Sequence, residues 1–213
     1  MSAAIDLYFS FRSPYSYMAA QLAEDALSSF DVTVRFKPVF PLAIREPNFF
    51  DKSNLNRVRY ILIDWVRRAE MLGLPAAWPQ PDPIVQDIET MAISDQQPYI
   101  ERLSYLGVEA ELRGAGLPFA REVSRVIWSG TPDWNQGAHL AQAAQRVGLD
   151  LAAMEAAIGS GETHKSIVET NQEEQMAAGH RGVPLFVYKD EPFFGQDRID
   201  SLCWQLGKDG LKH

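Results

Sequence analysis

The chain has 213 residues, which is enough for one domain or for one domain that carries a large insertion. Apolar residues make up 46% of the chain, and 28 acidic against 20 basic side chains give a formal net charge of −8. The basic residues are scattered, which argues against a surface for nucleic acid or anionic membranes, and no apolar run reaches the ~20 residues of a membrane-spanning helix. This composition is typical of a soluble globular protein.

The reactive side chains are few and widely spaced. A single cysteine, Cys203, excludes an internal disulfide and favours a reducing cytoplasm. Because Cys203 lies among apolar residues in the middle of a predicted helix, we expect a buried structural thiol. The four histidines have no metal-ligand spacing, so no metal site is expected. The N-terminus also lacks the basic start and apolar stretch of a secretory signal, and we therefore predict a cytoplasmic protein.

The first part of the chain predicts a strand, a helix and a second strand. Residues 5–11 are rich in β-forming side chains, which indicates a buried strand. Apolar positions at helical spacing predict a helix from Pro14 to about Phe30, and alternation over residues 31–38 predicts the next strand. Elements in this order imply two parallel strands with a right-handed crossover.

The middle of the chain carries helical patterns and no strand pattern. Residues 42–54 are predicted to be a loop, and a long helix is predicted for residues 56–72. Residues 84–158 are predicted to be helical in several segments, the last of which Asp150 would cap. Breaks between these segments are expected near Pro98, Gly107, Gly114–Gly116, Gly130–Pro132 and Gly148.

The last part of the chain returns to a mixed pattern. After a hinge at residues 159–161, we predict a helix over residues 163–178 and a strand over residues 182–188. A turn then leads to a short antiparallel strand over residues 191–195. A terminal helix over residues 197–206 would begin with Asp197 as its N-cap.

This order of elements predicts an α/β thioredoxin-like fold (βαβ…αββα) that an all-α insertion interrupts. Residues 1–42 and 160–213 would form the thioredoxin-like domain, and residues 43–159 the insertion. The Val183-Pro184 step lies where that fold keeps a cis proline beside its active site. The stretch from Ser13 to Ser16 lies where the fold carries a Cys-x-x-Cys pair. Both cysteines are serines here, which argues against a dithiol oxidoreductase.

Ser13 allows two interpretations from its position. As an N-cap, its hydroxyl accepts a bond from an unpaired backbone N–H, while Pro14 takes the first helical position, where a missing N–H costs nothing. Alternatively, the junction places a hydroxyl where backbone donors and the helix dipole favour an anion. The two roles are compatible on one side chain.

Three motifs resemble those of the 2-hydroxychromene-2-carboxylate isomerases, which are related to kappa-class glutathione transferases and to DsbA-type disulfide oxidoreductases. The motifs are residues 8–17 (YFSFRSPYSY), 182–186 (GVPLF) and 194–198 (FGQDR). Between them, the residues that fit the first insertion helix of this family are Asn56-Arg57-Val58-Arg59-Tyr60, Asp64 and Leu72-Gly73-Leu74-Pro75.

The resemblance implies glutathione as the cofactor and Ser13 as the catalytic residue, which would hold the glutathione thiol and lower its pKa. It also implies contacts of Val183 and Pro184 with the cysteinyl part of glutathione, and of Gln196 and Asp197 with its γ-glutamyl end. The remaining cofactor-binding positions would be Asn56 and Arg57, near the peptide and the glycine carboxylate.

The chain departs from the family at some of these positions. Relatives carry a lysine where Arg57 stands, so the charge is kept but its geometry and reach change. Asn56 and Arg57 are equally consistent with a solvated basic helix start, and Asp197 with simple capping. Residues 84–90 lack the usual asparagine-threonine step of the family, which leaves the identity of the electrophile open.

The resemblance implies a homodimeric isomerase of aromatic catabolism that acts on a small-molecule electrophile. A kappa-like glutathione transferase or peroxidase would need the same binding residues, and it is the first alternative. A second alternative is a glutathione-binding protein of this fold without catalytic turnover.

Overall fold

A four-stranded sheet in the order β2-β1-β3-β4 forms the centre of the protein. The computed structural model describes residues 3–46, 49, 55–87 and 89–213. Its strands are β1 (Ala3–Phe9), β2 (Val32–Pro38), β3 (Leu185–Tyr188) and β4 (Glu191–Phe194). Strand β1 pairs in parallel with β2 and antiparallel with β3, and β3 pairs antiparallel with β4. The parallel βαβ unit and the antiparallel hairpin are therefore confirmed.

Most of the helices lie where the sequence predicts them. Within the described residues they are α1 (Pro14–Leu27), α2 (Leu42–Arg45), α3 (Leu55–Met71), α4 (Pro98–Leu112), α5 (Gly116–Trp128), α6 (His139–Arg146), α7 (Leu151–Ile158), α8 (Glu162–Ala177) and α9 (Ile199–Lys208). The helical insertion between β2 and α8 confirms the fold class. The division at residues 42/43 and 159/160 stays a prediction, because one cluster of buried apolar residues includes side chains from both parts.

Strand β1 lies inside the sheet and carries the chain into the first helix. Its side chains Ile5, Leu7 and Phe9 share one face of the sheet and are fully buried, as expected for a strand with neighbours on both edges. Helix α1 packs against α5 and α9, while α4 packs against β2. Helix α1 is thereby held between α5 of the insertion and the terminal helix α9.

Helix α4 begins at the break predicted near Pro98 and corrects the break predicted near Gly107. Pro98 starts this helix in its first turn, where a proline is tolerated. Gly107 lies within the helix and does not end it. An added Cβ atom at Gly107 would lie 3.0 Å from side-chain atoms of Phe11 and Pro38. The glycine therefore allows α4 to approach the sheet closely.

The segment before α4 is not helical, contrary to the prediction for residues 84–158. Gln86 forms an isolated antiparallel bridge with Ile93. The Gln97 side chain accepts a bond from Val85 N–H at 2.8 Å and donates to the Val85 carbonyl at 2.9 Å. This buried amide satisfies backbone groups that a helix would otherwise pair internally. Asp150 caps α7 as predicted, with its carboxylate accepting from Ala153 N–H at 3.0 Å.

The loop predicted for residues 42–54 is wrong for Leu42–Arg45, which form the short helix α2 after Pro41. Residues 47, 48 and 50–54 of that prediction lie outside the described residues. The terminal helix also differs from its prediction. Gln196–Arg198 form a 3-10 turn, and α9 begins only at Ile199.

Candidate functional site

Ser13 is the N-cap of α1, as predicted. Its backbone is extended, and its Oγ accepts a hydrogen bond from Ser16 N–H at 3.1 Å. A hydroxyl has one hydrogen to donate and two lone pairs, so this cap leaves the hydrogen available. Pro14 has no N–H, and Tyr17 N–H donates to the Ser13 carbonyl at 3.0 Å. The positive end of α1 therefore meets a hydroxyl that retains its donor.

A cleft of about 680 Å³ lies in front of Ser13. Its walls come from the start of α1, from α3, from the segment before β3 and from the turn before α9. Five of the predicted site residues line this cleft, and they are Ser13, Arg57, Val183, Gln196 and Asp197. Asn56 is exposed and is absent from the described lining, although it adjoins Arg57. Pro184 is likewise absent from the lining and follows Val183 through a cis peptide bond.

Asp197 does not cap the terminal helix, which corrects the prediction. It lies inside the 3-10 turn, and the cap position of α9 belongs to Arg198, whose side chain makes no capping bond. Gly195 precedes the turn with a φ of 108°, which only glycine adopts readily. The sharp bend leaves the Asp197 carboxylate half-exposed at the cleft, 3.2 Å from the Arg198 guanidinium.

Gln196 is a buried residue of the cleft lining and is fixed by α3. The Arg68 Nε atom donates to Gln196 Oε1 at 3.0 Å. This bond fixes the orientation of the amide group. The two N–H donors of the Gln196 amide then remain for a ligand. Sequence reasoning missed Arg68, because no local pattern relates α3 to a turn far along the chain.

The cleft lining also includes Ser10, Tyr15 and Asp64, which were not predicted as site residues. The Ser10 hydroxyl is buried and has no partner among the described residues. The Tyr15 hydroxyl donates to Asp64 at 2.8 Å and so ties the start of α1 to α3. Burial raises the pKa of Tyr15, and the bond to Asp64 adds to the rise, so the hydroxyl keeps its proton at neutral pH. Ser10 and Tyr15 stand within the motif that carries the resemblance, which was the signal available for them.

A chain of hydrogen bonds holds the backbone before Val183. Gln175 Nε2 donates to the Gly182 carbonyl at 2.8 Å, and Gly182 N–H donates to His180 Nδ1 at 3.0 Å. Arg45 Nη1 in turn donates to Gln175 Oε1 at 3.0 Å. The position of Val183 at the cleft thus depends on side chains from α2 and α8.

His180 gives this segment a pH dependence. Burial lowers the pKa of His180, and the charges of Arg181 and Arg57 add to this. The neutral ring can accept from Gly182 N–H at Nδ1, whereas a protonated Nδ1 cannot. Since the folded pKa lies below the unfolded value of about 6.5, this stabilisation is complete above pH ~6.5 and is lost as the pH falls below it.

At acidic pH the wild type should lose the stabilisation from the His180 bond. We expect the substitution His180→Asn to reduce this loss in the free energy of unfolding by about 0.5–1.5 kcal/mol, the usual contribution of one hydrogen bond. Asparagine keeps an acceptor near the position of Nδ1 and does not titrate. The measurement is the free energy of unfolding in urea between neutral and mildly acidic pH. His213→Asn at the exposed C-terminus is the matched control, and an equal effect of both variants would contradict the prediction.

A cluster of tryptophans in the insertion lies close to the segment that leads into α1. The ring centroid of Trp128 lies 5.3 Å from that of Trp65 and 5.5 Å from that of Trp78. Trp128 Nε1 donates to the Phe11 carbonyl at 3.0 Å, two residues before Ser13. Trp78 lines a second cavity of about 640 Å³ beside the cleft. These rings are core and cavity wall, in agreement with their apolar chemistry.

Cys203 is only partly buried, which corrects the expectation of a buried thiol. Its Sγ lies 3.7 Å from the Ala26 carbonyl, and burial raises the pKa of the thiol. Within the described ranges, no three histidine, cysteine or acidic side chains are grouped as metal ligands. No helix in the same part of the chain is long and apolar enough to cross a bilayer.

The family model of the DSBA-like thioredoxin domain matches residues 4–207. The chain belongs to this family. The DSBA-like chain is 24% identical over 213 residues to a 2-hydroxychromene-2-carboxylate isomerase from Pseudomonas putida, across 96% of this chain and 94% of that relative. The resemblance indicated by the three motifs is thereby confirmed.

Solved structures support the same fold. A 2-hydroxychromene-2-carboxylate isomerase has a TM-score of 0.71 at 20% identity and covers 96% of this chain and 95% of its own. The cytosolic disulfide reductase DsbM from Pseudomonas aeruginosa, solved with GSH, has a TM-score of 0.58 at 16% identity. The match covers 96% of this chain and 99% of the DsbM chain. At these identities the structures define the fold of the DSBA-like chain.

Proposed function

We propose that this DSBA-like chain is a glutathione-dependent isomerase of the 2-hydroxychromene-2-carboxylate type. The observation that carries the proposal is the Ser13 hydroxyl, which caps α1 and retains a hydrogen to donate into the cleft. Support also comes from the isomerase name of its relatives and from the GSH in the structure of DsbM. A homodimer and a cytoplasmic location remain part of the proposal, the former testable by light scattering.

The residues of the cleft fit glutathione, a tripeptide with a thiol, two carboxylates and an ammonium group. The Asp197 carboxylate suits the ammonium group, and the guanidinium groups of Arg57 and Arg68 suit the carboxylates. The backbone of Val183 can pair with a peptide as an added strand does. The buried Ser10 hydroxyl, which has no partner among the described residues, offers one more polar contact.

Ser13 would stabilise a thiolate rather than attack the substrate itself. A hydroxyl donor and the positive end of the α1 dipole both favour an anion, and they lower the pKa of a thiol held at this position. Among the described lining residues there is no histidine to activate Ser13 as a nucleophile. Asp64 is engaged by Tyr15, and Asp197 is paired with Arg198. When bound, glutathione would supply a thiolate that adds reversibly to an unsaturated carbon of the electrophile.

The deciding experiment follows the absorbance of 2-hydroxychromene-2-carboxylate with and without glutathione. An isomerase changes the spectrum only when glutathione is present, and the free glutathione concentration stays constant. Consumption of glutathione in proportion to product would instead indicate the transferase alternative. S-methylglutathione, which keeps the tripeptide but blocks the thiol, is the matched control and should give no reaction.

The binding-only alternative is tested by the melting temperature. Glutathione should raise it by mass action on the folded state, whether or not turnover occurs. Stabilisation without any reaction would favour a glutathione-binding protein. If neither reaction nor stabilisation occurs, the proposal is wrong.

A further inference from the structure

The second cavity adjoins the cleft and differs from it in chemistry. Both are lined by Arg12, Phe49 and Ile61, so they meet at this boundary. The described lining of the second cavity is mostly apolar and includes flat surfaces from Trp78 and Tyr99. A cavity of about 640 Å³ lies in the size range of small-molecule sites. Its walls suit a flat ring compound.

Arg12 is the only cationic side chain among the described residues that line this second cavity. Its Nε and Nη2 atoms each donate to the Asp82 carboxylate at 3.1 Å. The guanidinium carbon lies 5.5 Å from the centre of the Trp78 ring, and the side chain is 14% exposed. Its rotamer is therefore held by an ion pair and by a ring.

The pairing with Asp82 uses one edge of the guanidinium group. A guanidinium carries five N–H donors in a fixed fork, and the contacts described for Arg12 use one hydrogen on Nε and one on Nη2. The edge formed by Nη1 and the second hydrogen of Nη2 takes part in neither bond. Such an edge matches the two oxygens of a carboxylate.

We propose that Arg12 is a specificity-determining residue, which binds the carboxylate of a flat ring compound in the second cavity through its Nη1–Nη2 edge. This inference rests on the proposed function for the assignment of that compound as the electrophile. Arg12 and Ser13 both line the cleft, and Arg12 also lines the second cavity, so a ring anchored at Arg12 would lie beside the thiol site. Arg57 and Arg68 remain in the cleft for the carboxylates of glutathione.

The charge of Asp82 should weaken the binding of a carboxylate in the second cavity, whereas the charge of Arg12 should strengthen it. Its Oδ1 also accepts Ile84 N–H at 3.0 Å, so the carboxylate is fixed near the cavity. A bound carboxylate would lie on the edge of the Arg12 guanidinium next to the one that Asp82 occupies, and the two negative charges would repel each other. Removing the charge of Asp82 should therefore strengthen the binding of an acid, although it breaks the same ion pair that Arg12 makes.

The test measures the dissociation constants of 2-naphthoate and of its neutral analogue 2-naphthamide by quenching of tryptophan fluorescence, without glutathione. We expect the wild type to prefer naphthoate by about tenfold or more, as a charge-assisted bond of ~1.5–3 kcal/mol implies. Arg12→Gln should abolish this preference and leave naphthamide binding unchanged. Asp82→Asn should keep or increase the preference.

Each other result overturns the inference. Equal affinity of the wild type for naphthoate and naphthamide means that Arg12 does not bind the carboxylate. An equal loss in Arg12→Gln and Asp82→Asn means that Arg12 has only a structural role in its ion pair. If Arg12→Gln does not fold, Arg12→Lys keeps the charge without the fork and should reduce the preference several-fold; an unchanged preference would contradict the inference.

The readout also separates this inference from the proposed function. Naphthoate binding is measured without glutathione, so an absence of glutathione-dependent turnover leaves the result interpretable. Titration of glutathione into Arg12→Gln supplies the second comparison. Weaker glutathione binding with unchanged naphthoate binding would assign Arg12 to the cofactor and overturn the inference.

Discussion

Replacing Ser13 with alanine should lower glutathione-dependent turnover by about a hundredfold to a thousandfold, the usual effect of removing one donor from a stabilised anion. Alanine keeps the helix and its dipole but removes the hydroxyl hydrogen that would meet the thiolate. The pKa of the bound glutathione thiol should rise accordingly. The ultraviolet absorbance of the thiolate as a function of pH measures this pKa directly, separately from turnover.

Ser13→Ala also removes the cap from α1, since Ser16 N–H loses its acceptor. The expected loss of stability is about 1 kcal/mol, too small to unfold a typical domain. Ser28→Ala at the other end of α1 is the matched control, because that exposed hydroxyl donates to the Asp25 carbonyl at 2.7 Å and lies at the C-cap. Unchanged turnover in Ser13→Ala would show that the serine is only a cap.

Replacing Trp128 with alanine should reduce the free energy of unfolding by about 3–5 kcal/mol, the usual loss for a large aromatic side chain in a core. Trp128 is fully buried against Trp65 and Trp78. Trp128→Phe keeps most of the packing but leaves the Phe11 carbonyl without its donor, so we expect a smaller loss of about 1–3 kcal/mol. Urea unfolding measures both differences.

Trp204→Ala provides the control for Trp128, because its ring is 66% exposed on α9. We expect this substitution to change stability by less than about 0.5 kcal/mol. The Phe variant of Trp128 should also weaken glutathione binding, since the Phe11 carbonyl precedes Ser13 by two residues. A loss of stability without any effect on binding would separate the tryptophan cluster from the site.

The strand–helix junction could be predicted because its signals are local. Alternation and β-forming side chains specify β1, and Ser13 followed by Pro14 specifies where α1 begins. The same holds for Asp150 at the start of α7. Such signals act through neighbouring backbone groups, so they depend little on the remainder of the fold.

Sequence patterns predicted the wrong secondary structure where contacts with distant residues decide the local conformation. Gly107 was expected to end a helix, but close packing against Phe11 and Pro38 favours a glycine inside α4. Residues 84–97 had helical spacing, yet the Gln97 amide satisfies the backbone around Val85 in another conformation. Neither effect has a signature in a short window of sequence.

By itself the sequence determined the thioredoxin-like fold, the helical insertion and the serine at the start of α1. Only the tertiary structure decided which side chains complete the cleft. Tyr15 and Asp64 are 49 residues apart in the chain, and Arg68 and Gln196 are 128 apart. Their hydrogen bonds form only after α3 packs beside α1 and the final turn, because an isolated polar pair is too weak to bring distant segments together.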